Sequence, residues 1–148
     1  MKKVIITVVF ALLVGTVFGI LYFKNTKDNI ADALSLDNEA IAFQVGVFRK
    51  LENASQEATK YSSGTIIADG EFYRIFIAIS NNQETINKLK EYYDSKKINY
   101  YLKNITIPDD FMSTFTNYQE VLLKTTSYDE VNKNLLKEYN EVINGVYN

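Results

Sequence analysis

The pattern of apolar and polar positions divides the 148-residue chain into an uncharged start and a mixed remainder. Residues 4–23 read VIITVVFALLVGTVFGILYF and contain no charged side chain. About 20 consecutive apolar residues are enough for a helix to cross the hydrocarbon core of a membrane. We therefore expect residues 1–23 to form an N-terminal transmembrane anchor, followed by a polar stalk over residues 24–40.

The basic residues around the apolar run indicate how the anchor is oriented. Lys2 and Lys3 precede it, and basic residues favour the cytoplasmic side of a membrane. The sequence thus predicts a single-pass protein of the cell membrane, with a cytoplasmic N-terminus and an extracytoplasmic domain. A cleaved signal peptide is the alternative, although its apolar region should be shorter and a cleavage site should follow it closely. With an uncleaved anchor or with a cleaved signal peptide, the rest of the chain would be exported.

Beyond the stalk, the apolar positions switch between strand and helix spacing. Alternation with period two indicates strands, and recurrence at three and four residues indicates helices. Asp69-Gly70 lies between two apolar runs, which is a strong signal for a hairpin turn. The strands are expected at residues 41–48, 65–68, 72–79 and 98–107. The helices are expected at residues 51–61 and around Ile86, Leu89 and Tyr93.

The resulting β-α-β-β-α-β order over residues 41–107 predicts an α+β domain of the split, ferredoxin-like type. In that arrangement one antiparallel sheet carries two helices on one face, and its other face is bare. The alternation in residues 72–79 places two sets of side chains on opposite faces. We expect the helix-covered face to hold Tyr73, Ile75, Ile77 and Ile79, and the bare face to hold Gln44, Arg74, Phe76 and Ala78.

Residues 108–148 follow the predicted domain and have the spacing of two amphipathic helices. The first carries Phe111, Phe115, Tyr118 and Leu122, and the second carries Val131, Leu135, Tyr139, Val142 and Val146. We read this segment as a C-terminal helical hairpin that packs either on the domain or on a partner. Capping boxes are expected at Ser80 with Gln83 or Asn81 with Glu84, and at Ser127 with Glu130.

Composition excludes several classes of function. The chain has no Cys and no His, which removes disulfides, thiolate and imidazole metal sites, and catalytic triads with a His base. With a net charge of −2 and only two arginines, it lacks the basic stripe of a nucleic-acid binder. Asp109-Asp110 follows Pro108 at the start of a predicted helix, where capping acids are common. We therefore expect no catalysis, no cofactor, no metal and no nucleic acid.

Three short motifs resemble the SPOR domain family over residues 41–107. They are FQVGVF at residues 43–48, Glu52-Asn53-Ala54 at the start of a helix, and Phe72-Tyr73-Arg74-Ile75 in the third strand. The resemblance implies binding to peptidoglycan glycan strands that have lost their stem peptides, in division, sporulation or wall maintenance. By position it assigns glycan contact to Gln44 and the family's strand arginine to Arg74. Two departures are the absence of the family's V-G-P-F turn after the third strand and Val47 in place of a frequent serine.

The predicted site therefore consists of Gln44, Arg74 and Phe76 on the bare face. An amide, a guanidinium and an aromatic ring together suit a neutral polysaccharide, through hydrogen bonds to hydroxyl and acetamido groups and through stacking. The alternative is that Gln44 and Arg74 are solvated and that the hairpin covers Phe76. An envelope scaffold is the second functional hypothesis. It should expose apolar hairpin residues for a partner protein, such as Phe111, Phe115, Val142 or Val146.

Overall fold

The structure is a computed structural model that describes residues 38–145. The expected membrane anchor at residues 1–23, the stalk up to residue 37 and Val146 lie outside the described residues. Between residues 38 and 145, no helix is both long and apolar enough to span a membrane. The residues from Asn38 onward form one compact unit.

Four strands and four helices make up this α+β unit. In chain order they are β1 (Glu39–Phe48), α1 (Leu51–Ala58), β2 (Thr65–Asp69), β3 (Phe72–Ser80), α2 (Gln83–Ser95), β4 (Tyr101–Thr106), α3 (Met112–Lys124) and α4 (Tyr128–Ile143). The strands form one antiparallel sheet in the order β2-β3-β1-β4. The expected β-α-β-β-α-β order and the two later helices are confirmed.

The largest difference from the expected strand boundaries is the late start of β4. Lys97 has a left-handed backbone with φ of 57°, and the Ile98 N–H donates to the Tyr93 carbonyl at 3.0 Å. This arrangement closes the end of α2 in the way that left-handed C-terminal caps do. Ile98 and Tyr100 then pack against the core cluster under α2, so the strand begins only at Tyr101.

Neither expected capping box forms. Asn82 caps α2, because its side-chain oxygen accepts from the Thr85 N–H at 3.0 Å. The Ser80 hydroxyl is used elsewhere, as a donor to Gln119 Oε1 at 2.5 Å. Ser127 does precede α4, but its side chain makes no capping hydrogen bond.

Helices cover both faces of the sheet, and the expectation of a bare face is wrong. One face packs on α1 and α2 through a cluster of buried residues: Phe43, Ile77, Ala78, Ile86, Leu89 and Tyr93. The other face packs on the hairpin of α3 and α4 through a second cluster, which includes Ala42, Phe76, Ile79, Phe115, Leu122, Leu135 and Leu136. This second face is therefore apolar enough to require burial, and the apolar stripe of the hairpin supplies it.

Two register shifts between β1 and β3 change which residues share a face. Ile77 in β3 and Val45 in β1 have no cross-strand partner, as at β-bulges. Beyond Ile77 the alternation is inverted, so Ala78 packs under α2 and Ile79 packs on the hairpin. Both had been expected on the opposite faces. Val47 likewise pairs with Arg74, which places it on the hairpin face.

The hairpin is also held to the sheet by buried polar contacts at the end of β3. Besides the Ser80–Gln119 bond, the Ile79 N–H donates to Asn132 Oδ1 at 3.4 Å. Lys96, which directly follows α2, forms an ion pair of 2.7 Å with Asp129 of α4. These polar contacts fix the position of the hairpin along the sheet, while the apolar packing buries its inner side.

The apolar hairpin residues named for a scaffold surface are largely inside the molecule. Phe111 and Phe115 are buried and Val142 is partly buried against the same cluster. Their exposure, which the scaffold hypothesis required, is therefore not found. Among the large apolar residues of α3 and α4, Val121 and Ile143 are exposed instead.

We predict that the hairpin contributes to the stability of the whole domain. Phe115→Ala removes a ring that is 0% exposed between α3 and the sheet, and the cavity should lower the free energy of unfolding by about 3–5 kcal/mol. Val121→Ala is the control, because Val121 lies on the same helix but is 49% exposed. It should change stability by no more than about 0.5 kcal/mol. Urea unfolding of the full chain in mild detergent measures both, and equal effects would contradict this packing.

Candidate functional site

The hairpin leaves one end of the sheet face open, and a cleft of about 250 Å³ remains there. Arg74 and Phe76 of β3 are part of its lining, and Tyr139 and Ile143 of α4 contribute a wall. Strands β2 and β4 contribute the rest of the lining: Ile67, Ala68, Asp69, Lys103, Asn104, Ile105 and Thr106. Strands β2, β3 and β4 thus line the cleft, and β1 does not.

Arg74 is the central polar side chain of this cleft. Its Nη1 donates to Gln44 Oε1 at 3.0 Å, and its Nε donates to the Asp69 carboxylate. Antiparallel pairing brings these three residues together from β3, β1 and β2. The Arg74 side chain is 21% exposed, so the guanidinium is oriented by two partners yet still reaches solvent.

The three predicted site residues share one face, but they are not exposed together. Phe76 is 2% exposed and Gln44 is 9% exposed. Phe76 is held by the hairpin cluster, and Gln44 supports Arg74 instead of presenting its carbonyl to a ligand. Of the predicted trio, Arg74 is the residue best placed to contact a ligand.

Four further residues of this face lie outside the predicted site. The guanidinium carbons of Arg49 and Arg74 lie 5.6 Å and 6.0 Å from the centre of the Phe72 ring. Lys103 Nζ lies 3.9 Å from Asp69 Oδ2. Tyr101, the cross-strand partner of Gln44, is 74% exposed. The sequence carried no signal for this contact, because the spacing of the chain's two arginines does not show that they meet the same ring.

The electrostatics of the cleft are set by Asp69. The hydrogen bond from Arg74, with the charges of Arg74 and Lys103, lowers the pKa of Asp69 below its ordinary value. Burial raises the pKa of Tyr139, and the negative charge of Asp69 adds to that effect. Asp69 is therefore ionised at neutral pH, and one carboxylate faces two cations in and beside the cleft.

A second cleft, of about 380 Å³, opens between the segment that follows α1, the end of α2 and the start of α4. Its polar groups are already paired with one another. Ser63 Oγ and Tyr93 OH both donate to the Ile77 carbonyl, at 2.8 and 3.0 Å, and Lys96 pairs with Asp129. The register shift leaves Ile77 without a partner in β1, and the two hydroxyls satisfy its carbonyl instead. We therefore interpret this cleft as structural.

Metal binding finds no support in the part of the chain that the structure covers. Between residues 38 and 145, no three acidic side chains converge as ligands for a metal ion. Asp109, which had been assigned to capping, accepts a hydrogen bond from Asn38 at the entry to β1. It thus lies apart from the cleft described above.

Comparisons with protein-family models, with curated proteins and with solved structures give no match to this chain. The site therefore has to be interpreted from its own geometry and from the resemblance in its motifs.

The ion pair between Arg74 and Asp69 can be tested by titrating Asp69. Arg74→Gln should raise the pKa of Asp69 toward the ordinary value of about 3.9, because the largest cause of its depression is removed. Since the folded pKa is depressed, this pair stabilises the fold above about pH 4 and the contribution is lost as the pH falls through the lower folded value.

Carboxyl carbon NMR of the full chain measures the pKa directly. Lys103→Gln is the matched control, with the same loss of charge but a longer separation, and it should produce a smaller rise. A pKa of Asp69 that is equal in wild type and Arg74→Gln would show that the pair does not form.

Proposed function

We propose that this protein is a membrane-anchored, non-catalytic module that binds peptidoglycan glycan strands through the cleft around Arg74. The observation that carries the proposal is the position of Arg74, whose guanidinium is oriented by Gln44 and Asp69 at the open end of the sheet. An oriented guanidinium keeps several donors in a fixed plane and loses little entropy when it binds a ligand.

The surface beside the cleft suits a sugar chain. Tyr101, the cross-strand partner of Gln44, is exposed, and the partly exposed ring of Phe72 lies beside Arg74. Flat apolar ring surface packs well against a pyranose, while guanidinium donors meet its hydroxyl and acetamido oxygens. A volume of about 250 Å³ is small for a ligand pocket. It fits a bare stretch of glycan better than a strand that carries peptide branches.

The electrostatics of Asp69 favour binding over hydrolysis. Glycoside hydrolysis uses two carboxyl groups, one of which must donate a proton near neutral pH. Asp69 has a lowered pKa and is paired with Arg74 and Lys103, so it would remain a carboxylate. Among the described residues, no second acid lines this cleft.

Two features of the sequence support a location at the cell wall. The uncharged run at residues 4–23 is long enough for an anchor, and the motifs that resemble SPOR domains contain both Gln44 and Arg74. The β-α-β-β-α-β order and the antiparallel strand order are compatible with that resemblance. The proposed roles are therefore in division, sporulation or wall maintenance.

An envelope scaffold is the second candidate. The observation that favours it is the covering of Phe76 and Gln44, which removes two of the three residues expected to contact glycan. Its docking surface would include the exposed side of α3, where Val121 is 49% exposed.

A co-sedimentation experiment with wall sacculi tests the proposal. The full chain in mild detergent should bind sacculi, and it should bind more after an amidase has stripped the stem peptides. Arg74→Gln should weaken this binding by about tenfold or more, because a hydrogen bond to a charged group contributes roughly 1.5–3 kcal/mol.

Lys133→Gln is the control, since it removes one positive charge from an exposed position on α4 far along the helix from Ile143. It should bind like the wild type. If wild type binds neither preparation, the glycan proposal is wrong and the scaffold becomes the leading candidate.

A further inference from the structure

Arg49 is a cation without an anion at the edge of the proposed site. The structure gives it a ring contact with Phe72. Over residues 38–145 it makes no ion pair or side-chain hydrogen bond. Several lysines are also unpaired, but Arg49 shares an aromatic ring with the central residue of the cleft.

Arg49 differs from the other cations of the site because it has no counterion. Asp69 pairs closely with Arg74, and Lys103 lies 3.9 Å from the same carboxylate. Glu52 and Glu71 are near Arg49 and Phe72 along the chain, but over residues 38–145 neither of them forms an ion pair. A neutral sugar would not require an unpaired guanidinium at this place, whereas an anionic ligand would be attracted by it.

We propose that Arg49 binds a carboxylate on the glycan, so that the ligand is an anionic sugar strand. This inference rests on the proposed glycan binding and names the chemical group that is recognised. The lactyl group of each muramic acid is joined to a stem peptide by an amide bond. Removal of the peptide converts that amide into a free carboxylate, which is the group that an unpaired guanidinium binds well.

The position of Arg49 suits such a contact. The planar guanidinium lies against the ring of Phe72, which restricts the side chain before a ligand arrives. Arg74 has two of its donor groups committed to Gln44 and Asp69. Arg49 therefore supplies the charge, while Arg74 supplies hydrogen bonds to the uncharged part of the strand. The preference for stripped strands then has an electrostatic cause in addition to a steric one.

The test compares two forms of the same stripped glycan with the full chain in mild detergent. In one form the carboxylates are free, and in the other they are converted to neutral methylamides. Both are first freed of phosphate-containing wall polymers. Wild type should bind the free form about three to five times more tightly, as expected for a partly exposed ion pair, and added salt should reduce the difference.

Arg49→Gln should lose this preference and bind both forms equally. Lys50→Gln is the matched control, because it removes the neighbouring exposed charge and should keep the preference. Equal binding of both forms by wild type would overturn the carboxylate assignment and leave glycan binding intact. The assignment would also be overturned if Arg49→Gln lowered the affinity for both forms by the same factor, so that the preference for the free form remained. It would be overturned as well if binding required the phosphate polymers. Failure of wild type to bind any glycan would instead reject the proposed function itself.

Discussion

The packing of the C-terminal hairpin on the sheet is the interaction on which the rest of the structure depends. A single layer of helices would leave Phe76, Ile79 and Ala42 in contact with water on the second face. The hairpin buries them against Phe115 and its neighbours, and polar contacts at the end of β3 fix its position. Sheet and hairpin form one unit, so residues 108–148 cannot be treated as an appendage with a separate role.

The same packing determines where a ligand can bind. Most of the face that a βαββαβ domain could offer is occupied by α3 and α4. The remaining cleft lies where α4 ends, around Arg74 and Asp69. Charge is concentrated at this cleft because Asp69 of β2, Arg74 of β3 and Lys103 of β4 all line it, while the covered part of the face is apolar. The hairpin thus converts a broad surface into a short, charged cleft, which favours a narrow strand with an anionic group.

The order of elements could be predicted from the sequence because each has a clear period, and the Asp69-Gly70 turn connects β2 to β3. The docking of the hairpin could not be predicted, because the pattern of an amphipathic helix shows that an apolar stripe must be buried but does not show which surface covers it.

The two register shifts could not be predicted from the sequence either. Ile77, Ala78 and Ile79 are all apolar, so no change of polarity marks where the alternation breaks. Arg49 and Lys103 were missed because the fold alone brings Arg49 to the Phe72 ring and Lys103 to Asp69, between residues that are distant in the chain. The membrane anchor stays a prediction from the apolar run at residues 4–23.

The most direct test of this account is a map of the ligand contact by NMR. Labelled full chain in detergent micelles would be titrated with soluble glycan fragments that lack stem peptides. The account predicts amide shift changes at the open end of the sheet, centred on Asp69, Arg74 and Lys103, and none along the hairpin-covered part of β3. Changes centred instead on the second cleft near Tyr93, or no change anywhere, would contradict it.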